Sequence, residues 1–143
     1  MYALTEGETL HKKIISTTRG VEVGVYHREP ETEEIHQYNN EAIRRKGQKV
    51  TFRQTQAQYK FGAKILKGLV EGAFGVPDEE GKKLVPVSSD PASPDYRQDW
   101  KELLLKRAPA VVITLGAAIF GGTEAVDEAE DLDDDKGEDV AKN

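Results

Sequence analysis

The last twenty residues of this chain limit its fold more than any other feature. From Glu124 to Asn143 there are ten Asp or Glu, two Lys and almost no large apolar side chain. A segment with so little apolar surface and so much charge cannot build a core, so we expect it to be disordered. The sequence therefore predicts one compact domain at residues 1–123 and a disordered acidic tail at residues 124–143.

The rest of the chain carries a slight positive charge, which is concentrated in one stretch. The whole chain has a net charge of −6 and the tail has −8, which leaves +2 for residues 1–123. Residues 42–70 contain eight Lys or Arg and no acid. Such segregation affects long-range electrostatics and the choice of partners rather than the fold.

The composition excludes several classes of protein. There is no cysteine, which excludes disulfides, thiolate catalysis and zinc sites with sulfur ligands. The N-terminus lacks the basic and apolar regions of a signal peptide. The uncharged run 108–122 is shorter than the roughly 20 residues that a membrane-spanning helix needs. We therefore expect a soluble cytoplasmic protein with no membrane partner.

The first thirty residues predict a β-hairpin at 13–26. Two runs rich in β-branched residues flank a turn that ends in Gly20. Val21, Val23 and Val25 alternate onto one face, which is the period of a half-buried strand. Gly20 can adopt the positive φ that a tight hairpin connection usually requires. A lone hairpin is marginal in water, so we expect this one to pack against other elements.

Helical signals follow the hairpin and predict a helix at about 30–46. Pro30 suits the first helical turn, and Glu31 lies near the positive end of the helix dipole. The basic run 44–46 suits the last turn, and Gly47 lies just beyond it as a helix terminator.

A longer helix is predicted at 52–74. Thr51 and Gln54 have capping-box spacing, and Gly75 ends the apolar pattern. The interior contains three glycines, Gly62, Gly68 and Gly72. Each glycine costs about 1 kcal/mol relative to Ala in a helix. The glycines indicate either close packing between helices or a helix that breaks near Gly68.

Two more helices are predicted in the last third of the chain, at 94–107 and 110–120. Ser93 and Pro94 are typical of an N-cap and a first helical position. A short edge strand is predicted before them, at 83–87. Together these elements predict an α+β, helix-dominated domain in which the N-terminal hairpin packs against three or four helices.

Residues suited to catalysis or metal binding form no recognisable set. The chain has three histidines, His11, His27 and His36. They fall in or beside different elements and lack metal-ligand spacing. Asp131, Asp133 and Asp135 have the first spacings of a calcium loop, but Lys142 stands where the loop needs Glu. We therefore predict no enzymatic activity, no catalytic residue, no cofactor and no metal site.

Four basic residues of the predicted long helix form a candidate basic face: Arg53, Lys60, Lys64 and Lys67. A basic helical face can neutralise phosphates. The alternative is the ordinary solvated side of an amphipathic helix. The charge of +2 on residues 1–123 is well below that of a typical nucleic-acid module, which disfavours nucleic acid as a partner.

The predicted helix 110–120 supplies the candidate partner-binding residues, which are Val111, Val112, Leu115, Ile119 and Phe120. One interpretation is that this apolar helix belongs to the core, which needs no further explanation. The other is that it binds a partner or a second copy of the chain, because three other helices already provide apolar stripes.

The order of these segments carries a resemblance. A β start leads into YHREPETEE at 26–34, RRKG at 44–47, YKFGAKILKG at 59–68 and a helix with Trp100 that ends in Leu103-Leu104. This layout, over roughly residues 21–120, is similar to small proteins of bacteriophage and prophage tail gene clusters, especially tail assembly chaperones. The resemblance is one of layout and composition.

The resemblance implies a function without catalysis. Tail assembly chaperones are mostly helical, keep the long tape-measure protein soluble and help to recruit tube subunits in the cytoplasm of the bacterial host. The hairpin and the acidic tail depart from this pattern and leave open a structural tail protein or a head–tail adaptor, which would remain in the virion. A nucleic-acid-binding accessory protein is the third alternative.

Overall fold

The computed structural model describes residues 9–46 and 49–121, with the backbone alone at 44–46 and 49–52. The elements in chain order are β1 Leu10–Ser16, β2 Glu22–Arg28, α1 Thr32–Ala42, β3 Ile43–Lys46, β4 Lys49–Phe52, α2 Gln54–Ile65, β5 Leu66–Leu69, β6 Gly75–Pro77, β7 Leu84–Pro86, α3 Trp100–Arg107, α4 Pro109–Gly116 and a π-helical turn Ala117–Gly121. The acidic tail predicted at 124–143 lies outside the described residues.

The described residues form two compact units. Unit 1 comprises residues 9–29 and 65–111, and unit 2 comprises residues 30–46, 49–64 and 112–121. The grouping of residues 1–123 into one domain stays a prediction.

Unit 1 contains a three-stranded antiparallel sheet with the strand order β1-β2-β5. β1 and β2 form the predicted hairpin, which extends beyond 13–26 at both ends, and Gly20 has a φ of +78° in its turn. Val23 and Val25 are buried as the alternation predicts. Val21 precedes β2 and is exposed, so it does not belong to the buried face.

Unit 2 shows that the helix predicted at 30–46 is too long. α1 ends at Ala42, and Ile43 has extended backbone angles, with φ −127° and ψ 109°. Residues 43–46 form β3, which pairs with β4 in antiparallel register. The β-branched Ile43 favours a strand more than a helix end, and the pairing satisfies the backbone groups that a last helical turn would leave open.

The helix predicted at 52–74 is also too long. α2 ends at Ile65, and the next four residues form β5, which pairs with β2 through Val25 and Leu69. Gly68 therefore lies in a strand, and Gly72 has a φ of +79° in the turn beyond it. Leu66 and Leu69 fit either a helical stripe or a strand, and the pairing with β2 decides between the two.

The third predicted helix, 94–107, begins later than expected, because α3 starts at Trp100. The preceding segment lies beside Ser88 as an isolated parallel bridge. The Ser88 amide donates to the Asp95 carbonyl at 3.0 Å, and the Arg97 amide donates to the Ser88 carbonyl at 3.1 Å. These backbone bonds replace the helical ones that Ser93 and Pro94 predicted.

The other predicted elements agree more closely with the structure. α4 and the π-helical turn cover the helix predicted at 110–120, and β7 lies within the edge strand predicted at 83–87 and pairs with β6. The fold is thus a mixture of α and β elements. The prediction of a helix-dominated domain is wrong in degree, because strands replace the ends of two predicted helices.

Glycine allows a close helix contact inside unit 2. A Cβ added at Gly62 of α2 would overlap the Val112 carbonyl oxygen of α4. A Cβ added at Gly116 of α4 would overlap the Gln58 carbonyl oxygen and lie 2.7 Å from its carbon. The backbones of α2 and α4 therefore approach through two glycines. Of the three glycines in the predicted long helix only Gly62 takes part, because Gly68 and Gly72 lie beyond the end of α2.

Candidate protein-binding surface

The structure does not bring the four residues of the candidate basic face together on one helix. Arg53, Lys60 and Lys64 belong to unit 2, whereas Lys67 lies on β5 in unit 1. Lys60 Nζ forms an ion pair with Glu41, with both carboxylate oxygens at 2.9 Å. Arg53 lies directly before α2 and lines a surface pocket there. Lys60 and Lys64 thus remain one turn apart on α2, and only Lys67 lies away from the helix on which the basic face was predicted.

The candidate partner-binding residues of the last helix are mostly buried. Val111, Val112 and Leu115 are buried, and Ile119 and Phe120 are half-buried. Of the two interpretations of this helix, burial favours the core for the first three residues. Their role in binding a partner stays a prediction.

An aromatic cluster accounts for the half-buried Phe120. Its ring stacks on Tyr38, with centroids 5.3 Å apart, and meets Phe61 edge-on at 5.5 Å. Tyr38 and Phe61 are fully buried, and burial raises the pKa of the Tyr38 phenol above its ordinary value. This cluster belongs to unit 2 and stabilises it by apolar burial and ring contacts.

Unit 1 exposes apolar side chains that the sequence analysis did not single out. The two faces of the hairpin differ. The inner face buries Ile15, Val23, Val25 and His27. The opposite face, called here the outer sheet face, consists of Leu10, Lys12 and Ile14 of β1 with Gly24, Tyr26 and Arg28 of β2. Leu10 and Ile14 on it are 49% and 50% exposed.

Gly24 gives the outer sheet face its shape. It lies in the central strand directly opposite Ile14, and it has no side chain to fill the space between β1 and the end of β5. A Cβ at Gly24 would lie 2.6 Å from Val70 Cγ2 and 3.3 Å from Ile14 Cδ1. Val70 and Ile14 therefore lean over Gly24 from both sides. Together with Leu10, they form the apolar part of the outer sheet face, which also carries Lys12 and Arg28.

A second exposed apolar pair lies in unit 1 on the β6–β7 hairpin. Leu84 and Val85 of β7 are 71% and 46% exposed. The sequence contains patterns that could have identified these exposed residues. Leu84 and Val85 fall within the predicted edge strand 83–87. The alternation Leu10-His11-Lys12-Lys13-Ile14 already shows apolar residues on the side of β1 opposite Ile15, but the hairpin was predicted to begin only at residue 13.

Two of the three histidines contact each other on the hairpin, and the third lies apart from them in the sequence, on α1. His11 and His27 face each other across β1 and β2, with ring centroids 5.6 Å apart, and His11 Nε2 is 3.3 Å from a Glu29 carboxylate oxygen. His36 lies on the exposed side of α1. Over the described ranges 9–46 and 49–121, no three His, Cys, Asp or Glu residues are placed to hold a metal ion.

The serines after β7 have a structural role in unit 1. Ser88, which is buried, donates from Oγ to the Glu71 carboxylate and accepts the Asp90 amide at 3.0 Å. Ser89 Oγ accepts the Leu69 amide at 2.8 Å. These bonds attach the loop after β7 to the end of β5.

Neither family models nor curated proteins nor solved structures match this chain. In the part of the chain that the structure describes, no single helix is long and apolar enough to cross a membrane. The consecutive segments Trp100–Arg107 and Pro109–Gly121 reach that length only as a bent pair.

Proposed function

We propose that this protein is a non-enzymatic assembly chaperone that binds a structural protein of a phage tail, such as the tape-measure or tube protein. The observation that carries the binding role is the outer sheet face, on which Leu10 and Ile14 are half-exposed. The tail-specific part of the proposal is supported by the resemblance in layout. The site of action would be the cytoplasm of the bacterial host.

The outer sheet face suits a protein partner for physical reasons. Single exposed apolar side chains are common, but neighbouring ones on one face form a patch that a partner can dehydrate. Ile14 and Val70 approach each other over Gly24, and Leu10 lies four residues from Ile14 on the same side of β1, with Lys12 between them. A strand face of this shape can accept the apolar stripe of a partner helix.

The experiment co-expresses the full chain with the proteins encoded beside it and measures the mass of the purified complex by light scattering. We expect a complex with a tape-measure or tube protein that survives high salt, because apolar contacts depend weakly on salt whereas phosphate contacts weaken steeply. Leu10→Glu and Ile14→Glu should each weaken the complex by about tenfold or more, as buried interface anchors do.

Lys12→Glu is the matched control, because Lys12 is exposed between the two apolar residues on the same face. Equal affinity of Leu10→Glu, Ile14→Glu and wild-type chains, all with unchanged melting, would refute the proposed surface. A complex of identical chains would instead indicate self-association. Recovery of the protein from purified particles would indicate a structural tail or adaptor protein in place of a chaperone, and salt-sensitive nucleic acid would indicate the accessory protein.

A further inference from the structure

Three cationic residues of unit 1 converge at the first residues of β5. Lys101 Nζ donates a hydrogen bond of 3.0 Å to the carbonyl of Leu66, where β5 begins. Lys67 is the next residue and is exposed. Leu66 pairs with His27 of β2, so Arg28 lies one residue away along the neighbouring strand. The pairing thus gathers charges that lie far apart in the sequence.

The surroundings of the Lys101 ammonium oppose its charge. Burial lowers the pKa of Lys101, and the nearby charges of Lys67 and Arg28 lower it further. Lys101 is also the second residue of α3, close to the positive end of the helix dipole. Asp99 at the N-cap is bound by Arg97 through two hydrogen bonds of 3.0 Å. The charges of Lys67 and Arg28 and the positive end of the helix dipole therefore all act on the half-buried Lys101 amine.

We propose that Arg28, Lys67 and Lys101 form a binding site for a phosphate-type oxyanion. An anion placed among them would offset the repulsion between the cations and favour the charged form of each amine. The bond to Leu66 fixes the Lys101 ammonium and leaves its other N–H groups for a ligand. This site borders the outer sheet face, because Arg28 belongs to both, but it does not depend on the proposed chaperone function.

Phosphate fits this cluster better than a carboxylate does. A carboxylate carries one charge and neutralises one cation, whereas a phosphate group carries up to two and offers three acceptor oxygens. Lysines bind phosphates as point charges, and an arginine adds planar donors. Free phosphates, nucleotides and the nucleic-acid backbone share this chemistry, and the experiment separates these sources.

The experiment titrates the full-length chain with pyrophosphate and follows backbone and lysine side-chain resonances by NMR, with NaCl of equal ionic strength as the reference. We expect saturable shifts at the start of β5 and α3, and a rise in the Lys101 pKa when pyrophosphate binds. Lys101→Met should weaken binding by about tenfold, because it removes a hydrogen bond from a charged donor. Lys101→Arg, which keeps the charge, should retain most of the affinity.

Lys106→Met is the matched control, because Lys106 is an exposed lysine in the last turn of the same helix. Equal weakening by Lys106→Met and Lys101→Met, or shifts no larger than those in NaCl, would overturn the proposal. A peptide with the sequence of residues 124–143 that shifts these resonances when pyrophosphate does not would also overturn it, in favour of a carboxylate ligand. ATP binding as tightly as pyrophosphate would support a small phosphate ligand. Tighter binding of a single-stranded oligonucleotide would support the phosphates of a nucleic-acid backbone.

Discussion

Gly116→Ala tests the close contact between α2 and α4 in unit 2. In an open helix this change stabilises by about 1 kcal/mol, because alanine is the better helix former. Here the added Cβ would overlap the Gln58 carbonyl oxygen and lie 2.9 Å from its Cα. These are backbone atoms, so no rotamer change relieves the overlap, and α2 and α4 must separate.

We expect the overlap to outweigh the gain in helix propensity. Overpacking in a close-packed interior costs about 1–3 kcal/mol, and more where the obstacle is backbone. A net loss of about 2 kcal/mol would lower the melting temperature by roughly 4–8 °C in a chain of this size. Urea unfolding followed by far-UV circular dichroism measures this loss directly as a change in the midpoint.

Two further variants make the test specific. Gly62→Ala places a Cβ against the Val112 carbonyl oxygen from the other helix, so it should also destabilise. Ala118→Gln changes an exposed position two residues from Gly116 and should shift stability by no more than about 0.5 kcal/mol. A Gly116→Ala chain that is as stable as wild type, or more stable, would show that the two backbones are not in contact at this position.

Three other perturbations have defined outcomes. Gly24→Ala should lower the urea midpoint by the equivalent of about 1–2 kcal/mol, because the added Cβ would overlap the Val70 side chain. Val70→Ala shortens that side chain, so the double mutant should lose less stability than the sum of the two single mutants. Additive losses would contradict this contact. Lys60→Met should cost less than about 1 kcal/mol in the same assay, since its pair with Glu41 is partly exposed, and a larger loss would mean that Lys60 has a packing role. Stability should rise with pH between the lowered folded-state pKa of Lys101 and the unfolded value of 10.5, since the unfolded chain binds more protons there. Lys101→Met should remove that part of the rise, and an unchanged pH profile would contradict the direction of the shift.

Local signals in the sequence were sufficient where one short segment decides its own conformation. The turn at Gly20, the helix start near Pro30 and the helix after Pro109 were all predicted in place, because each depends on backbone preferences of adjacent residues. The distribution of charge, with its basic middle and acidic end, is likewise readable without any structure.

Strand pairing decided the rest. Residues 66–69 have an apolar spacing that fits a helix, and they form β5 only because β2, some forty positions earlier, offers its backbone hydrogen bonds. The same pairing ends α2 at Ile65, so Lys67 lies on β5 instead of on the helix with Lys60 and Lys64, next to the Leu66 carbonyl that Lys101 binds. A window of neighbouring residues contains no information about such a partner, because the energy that selects the strand comes from contacts made across the chain.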